Sequence, residues 1–157
     1  MIRLSRLADY GVVLMTQMAA DQDAVHTAQA MAEVTGVPLP TVSKLLSSLG
    51  RAEILAPIRG AKGGYKLARD PSRITVGDII SAVDGPIAIT QCIERGPGHC
   101  DVERLCPTRA GFQVINDAVR RAFASVSLAD LMEPVYGTFP PASRIGTAAR
   151  ASLGKEP

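Results

Sequence analysis

The sequence predicts a mainly α fold: a winged helix-turn-helix with a small two-stranded wing, followed by a long C-terminal dimerisation helix. Three observations predict it. Two short helical segments flank a turn containing Gly36, a glycine-rich hairpin pattern (Gly60, Gly63, Gly64) follows at once, and a long amphipathic stretch begins after Pro107. Short helices joined by a Gly-containing turn are the signature of a helix-turn-helix, and a hairpin directly behind the second helix occupies the place of a wing.

The elements follow in order. Leu7, Val12, Leu14, Met15 and Met18 recur at helical spacing, predicting a first helix from Ser5 to Ala20 that ends in Asp21-Gln22-Asp23. Thr27 suits the N-cap of a short second helix, Ala28 to Thr35, and Gly36 suits its C-terminal stop. After Val37-Pro38-Leu39 a third helix is expected to begin near Pro40, since proline at the first helical position gives up no hydrogen bond, and to run through Val42, Leu45, Leu46 and Leu49 to about Glu53. Ile54 to Arg59 and Tyr65 to Ala68 read as strands around the turn Gly60-Ala61-Lys62-Gly63-Gly64. Thr75 caps a fourth helix, Val76 to Val83, with Asp78 in its first turn and Asp84-Gly85-Pro86 behind it.

A cysteine-bearing loop is expected from Ile87 to Cys106, and Pro107 opens the long fifth helix, which runs to about Ser125. Phe112, Ile115, Val119, Ala122, Phe123 and Val126 line one face of it, which would serve either as a dimer seam or as packing for its own domain. Ser127 caps a last turn, Leu128 to Met132. The organisation is thus residues 1–84 as a winged helix-turn-helix DNA-binding domain, 85–132 as cysteine loop and dimerisation helix, and 133–157 as a tail rich in Pro, Gly, Ala and Arg that is expected to be disordered.

With 157 residues, 46% of them apolar, the chain can bury a real core. It has no uncharged apolar run long enough for a membrane span. Asp9 interrupts the N-terminal apolar stretch, so no signal peptide is read and a cytoplasmic protein is expected. The net charge of +2 is unremarkable, but Lys44, Arg51, Arg59, Lys62, Lys66 and Arg69 outnumber Glu53 and Asp70 between Val37 and Asp70. Local positive charge of this kind supplies salt-dependent attraction to phosphates. An enzyme is not expected: no paired carboxylates or nucleophile with an adjacent base appear, and Gly60 to Gly64 lacks phosphate-loop spacing.

A recognition helix offers its N-terminal residues to base edges, so Pro40, Thr41, Ser43 and Lys44 are the candidate contacts to double-stranded DNA. None is a bidentate reader, so specificity leans on the wing, where Arg59 and Lys62 would enter the minor groove or hold phosphates.

All three cysteines, Cys92, Cys100 and Cys106, fall in one short window, whereas structural cysteines scatter through a core. Thiolates ligate zinc and iron–sulfur clusters. Cys106 precedes Pro107 at an expected helix N-terminus, where the dipole favours the thiolate. Three ligands leave a fourth to be supplied by His99, Asp9, Glu94, Glu103 or a small molecule. Three readings stand side by side: zinc held by the cysteines and His99, a thiol redox sensor, and an iron–sulfur cluster. Zinc sites usually carry paired Cys-x2-Cys knuckles, which are absent here.

Leu7-Ala8-Asp9-Tyr10-Gly11, the run from Val37 to Lys44, the wing Arg59-Gly60-Ala61-Lys62-Gly63-Gly64-Tyr65, and the three cysteines followed by Pro107 together resemble the bacterial winged-helix iron–sulfur regulators. That family includes the Isc-system and nitric-oxide-sensing repressors, and the chain is most similar to the Suf-system branch over about residues 1–132. The resemblance implies a homodimer that represses genes of cluster assembly, iron handling or nitrosative stress and carries a [2Fe–2S] or [4Fe–4S] cluster. It implies Cys92, Cys100 and Cys106 as ligands and sets Asp9 where one branch takes a fourth ligand from the partner subunit. The histidine of another branch would fall at Arg109 here, which leaves His99 as the substitute histidine. Seven residues separate Cys92 from Cys100, more than is usual in the Isc and nitric-oxide branches.

Overall fold

Ser5 initiates the first helix by accepting the Ala8 N–H on its hydroxyl at 3.0 Å. The helix, α1, runs Arg6–Ala19 and buries Leu14, Met15 and Met18 completely. The computed structural model describes residues 3–60, 63–94, 100, 102 and 105–132. The tail expected to be disordered, together with His99, Glu103 and Lys62, lies outside the described residues.

Helix α2, Ala28–Thr35, is bounded as its sequence signals require: Thr27 accepts the Ala30 N–H at 3.1 Å, and Gly36 closes the helix at φ 73°. Helix α3, Leu39–Arg51, begins one residue before the proline pattern indicates, with Pro38 flanking and Pro40 in the second position. The first turn's N–H groups have no intrahelical acceptor, so proline is tolerated at either place. The far end stops short of the expected Glu53 because Glu53 itself adopts φ 56°. Its N–H bonds the Gly50 carbonyl, and the Ile54 N–H bonds Leu49 at 3.1 Å, while Leu49 and Ile54 are both buried. This is a Schellman closure with glutamate in the left-handed position that glycine usually fills.

The wing pairs β1, Leu55–Ile58, antiparallel with β2, Gly64–Leu67, in the register Leu55 opposite Leu67 and Pro57 opposite Tyr65. Tyr65 turns its backbone away from Pro57: its N–H and C=O both bond His26, at 2.9 and 2.7 Å. Pro57 therefore sits at a non-bonded position of an edge strand, where its missing N–H costs nothing. After a 3-10 turn, Pro71–Arg73, helix α4 spans Val76–Asp84 behind a full capping box: Asp78 N–H to Thr75 Oγ1 at 3.1 Å, and Thr75 N–H to Asp78 Oδ2 at 3.0 Å.

Two expectations about the next segment need correction. Cys92 lies not in open loop but in a one-turn helix, α5, Gln91–Glu94, whose Ile93 N–H bonds the Thr90 carbonyl at 3.1 Å. The long helix α6 runs Arg109–Ala124 and does not start at Pro107, because Thr108 is non-helical (φ −105°, ψ 2°) and makes no cap bond with its side chain. Helix α7, Leu128–Met132, returns to the first core. Leu128 N–H bonds Ile74 O at 2.7 Å, Val76 N–H bonds Val126 O at 2.9 Å, and α7 packs on α1 and the 3-10 turn with the Leu128 side chain buried in the core.

Helix α6 lies antiparallel on α4. Phe123 and Val126 pack with Val76 and Ile80 near one end, while Asn116 meets the segment just beyond the other. The expected apolar stripe divides accordingly. Val119 and Phe123 turn inward, whereas Phe112, Ile115 and Ala122 are uncovered, and Ile115 is 48% exposed.

Candidate functional site

Two constellations face solvent on different parts of the fold. The first is the outer surface of α3. Val42, Leu45, Leu46 and Leu49 hold the helix to the core, which leaves Pro40, Ser43 and Lys44 exposed on the opposite side and Thr41 half-buried between them. Ser47, exposed one turn beyond Ser43, extends the same face; the i, i+4 spacing that carries Ser43 to it was available in the sequence.

Arg59 is exposed at the end of β1, where the chain turns through Gly60 at φ 114°. Gly63 has no room for a side chain, because a Cβ would stand 2.6 Å from the Ile58 carbonyl oxygen. His26 was missed by sequence reading. Its backbone makes a third strand-like rung on β2 and fixes the wing to the connection between α1 and α2.

The second constellation is the cysteine segment. Cys92, Cys100 and Cys106 are free thiols, each half-buried. Thr90 Oγ1 lies 3.3 Å from Cys92 Sγ, and Thr108 Oγ1 lies 3.4 Å from Cys106 Sγ. The Thr108 hydroxyl, then the Thr108 N–H, and more weakly the N–H and charge of Arg109, hold the Cys106 thiol below its ordinary value. The thiolate preference expected from a helix start at Pro107 is thus present, but the threonine beside it is its main cause. Sulfur hydrogen-bonded by hydroxyls is a donor type that iron–sulfur clusters accept, so the chemistry of the set fits such a group.

Among the described residues no three His, Cys, Asp or Glu side chains come close enough to hold one metal ion. Asp9 is exposed on α1, apart from such a group. An open cleft of about 530 Å³ lies between Arg3 and Leu4 ahead of α1, the end of α4, Ile87, and Val119 and Phe123 of α6.

Residues 4–134 match the Rrf2 family, described as iron-dependent transcriptional regulators. The chain belongs to the Rrf2 family. An Escherichia coli relative, the HTH-type transcriptional regulator IscR, is 31% identical over 132 residues, covering 83% of this chain and 80% of that one. Among solved structures, CymR (YrzC), the global cysteine regulator of B. subtilis, is 28% identical with a TM-score of 0.65, covering 84% of this chain and 97% of that one. The oxidised form of Staphylococcus aureus CymR is 25% identical with the same TM-score of 0.65, covering 88% and 100%. This Rrf2 member is therefore a DNA-binding transcriptional regulator with a winged helix-turn-helix fold, and its relatives are regulators and not enzymes. Among the described residues no helix is long and apolar enough to cross a membrane.

Proposed function

We propose that the chain is a cytoplasmic homodimeric repressor of iron–sulfur assembly or iron and redox genes, of the Suf-regulator type, whose operator affinity is set by a [2Fe–2S] or [4Fe–4S] cluster. The observation that carries this reading is the pairing of an exposed α3 face with three free thiols between α4 and the start of α6. In this reading Pro40, Thr41, Ser43 and Lys44 enter the major groove, and Arg59 and Lys62 hold the flanking backbone or minor groove. Cys92, Cys100 and Cys106 are the cluster ligands, with Asp9 of a second copy completing the set and His99 as its substitute.

When bound, the cluster supplies a tie across the cysteine segment that depends on iron supply and redox state. The chain's own residues convert that tie into reading geometry. Thr108 and Thr90 hold two sulfurs by hydrogen bonds, and the uncovered Phe112 and Ile115 side chains form the apolar seam between the two copies. Half-sites lie about one DNA turn, ~34 Å, apart, so a small change in the angle between two recognition helices costs affinity.

The test is operator binding by holo and apo protein at matched salt. A difference of about 5-fold or more is expected, the lower end of ordinary allosteric coupling; equal affinity removes the cluster control. A second reading, a thiol-redox-sensing regulator, is favoured by the lowered Cys106 pKa and by the likeness to oxidised CymR. Anaerobic purification separates them: brown protein with visible absorbance supports the cluster, and colourless protein whose repression responds to thiol oxidants supports the sensor.

A further inference from the structure

Among the described residues Asn116 is the one polar side chain buried completely. It projects from the middle of α6 into the segment between α4 and α5. Its Oδ1 accepts the Ile89 N–H at 3.0 Å, and its Nδ2 donates to the Ile87 carbonyl at 3.2 Å. One carboxamide thus satisfies an acceptor and a donor of the same short backbone stretch, across 27 and 29 residues of sequence. An apolar side chain of similar volume would bury as well but would leave both backbone groups unpaired.

The stretch so gripped leads directly to a sulfur. Thr90 follows Ile89, and its hydroxyl reaches Cys92 Sγ at 3.3 Å. On the other side of the cysteine segment, Cys106 Sγ meets Thr108, the residue flanking the start of α6, at 3.4 Å. Both ends of the segment are therefore referenced to one helix: Cys106 through the start of α6 and Cys92 through Asn116.

We propose that Asn116 is a positioning residue for the cysteine site, holding Cys92 at a fixed place relative to Cys106 so that both thiolates face one metal centre. The inference rests on the reading of the three cysteines as ligands. Asn116 touches no metal itself and acts through Ile87, Ile89 and Thr90.

The experiment uses reduced, metal-free, full-length protein and Co²⁺ as the probe, with thiolate-to-cobalt absorbance counting the sulfurs bound. Asn116→Leu is expected to weaken Co²⁺ binding by about 10-fold or more, the usual effect of removing support behind a ligand. In a Cys92→Ser background the same substitution should have no further effect, while in a Cys106→Ser background its full effect should persist. A general loss of structure would weaken both backgrounds alike, so effects that add in the Cys92→Ser background overturn the proposal, as does unchanged affinity. Where Asn116→Leu does not fold, Asn116→Asp decides: it retains the acceptor for Ile89 but has no donor for Ile87, and wild-type affinity in it counts against the clamp. Wild-type protein that gives no thiolate absorbance with Co²⁺ overturns the ligand reading itself, an outcome distinct from an indifferent variant.

Discussion

At Cys106 a hydroxyl two residues along the chain does what a helix dipole was expected to do. The Thr108 side chain is the largest cause of the lowered thiol pKa, ahead of the backbone N–H groups. The sign follows: a depressed folded-state pKa means the fold favours the thiolate, a contribution present above the ordinary thiol value and lost as pH falls through the folded one. Thr108→Val should therefore raise the pH midpoint for alkylation of Cys106 by iodoacetamide in reduced, metal-free protein, read by mass spectrometry at that residue. An unmoved midpoint would take the hydroxyl out of the account. The sequence made Cys106 legible as a thiolate, because Pro107 marks the approach to a helix. It did not make the cause legible, since whether Thr108 caps the helix or turns to the sulfur depends on one non-helical dihedral pair.

At the level of elements, local signals worked wherever one side chain closes a helix end. Ser5, Thr27 and Thr75 all cap as their residue types require, and Gly36 terminates α2. They failed at Glu53, where the turn following α3 takes a left-handed residue with no glycine to announce it, because burial of Leu49 and Ile54 holds the closure in place. The wing's strands were legible from its glycines, but its third rung was not. His26 is 39 positions from Tyr65, counted along the numbering, and pairs only through backbone atoms that carry no side-chain signature. A Cβ on Gly64 would stand 2.5 Å from the His26 carbonyl oxygen. Gly64→Ala should accordingly cost about 1–3 kcal/mol, the range for forcing atoms into a packed site, in urea unfolding. A loss below about 0.5 kcal/mol would mean that the rung moves aside freely.

For the whole molecule, the amphipathic stripe of α6 announced an interface but not its division between the chain's own domain and an uncovered end. Nor could local pattern reveal that Asn116 grips Ile87 and Ile89 or that Leu128 returns to the first core, since each pairing joins positions far apart in sequence. Ile115→Glu places a charge on the uncovered part without touching the described core. On the proposed dimer it should shift sedimentation velocity from dimer to monomer and lower operator affinity about 100-fold or more as paired half-site binding is lost; a variant that stays dimeric would overturn the proposed seam. At 1.5 Å per residue, the 16-residue α6 is about 24 Å long and the 9-residue α4 about 14 Å. Roughly 10 Å of α6 therefore extends past α4 from a root at Phe123, with Asn116 near the point where the two helices part and Cys106 close to the far end. A tilt too small to disturb packing at the root becomes a displacement of ångströms at the far end, and in the proposed regulation the same leverage run backwards would carry events at the sulfurs to the domain that reads DNA.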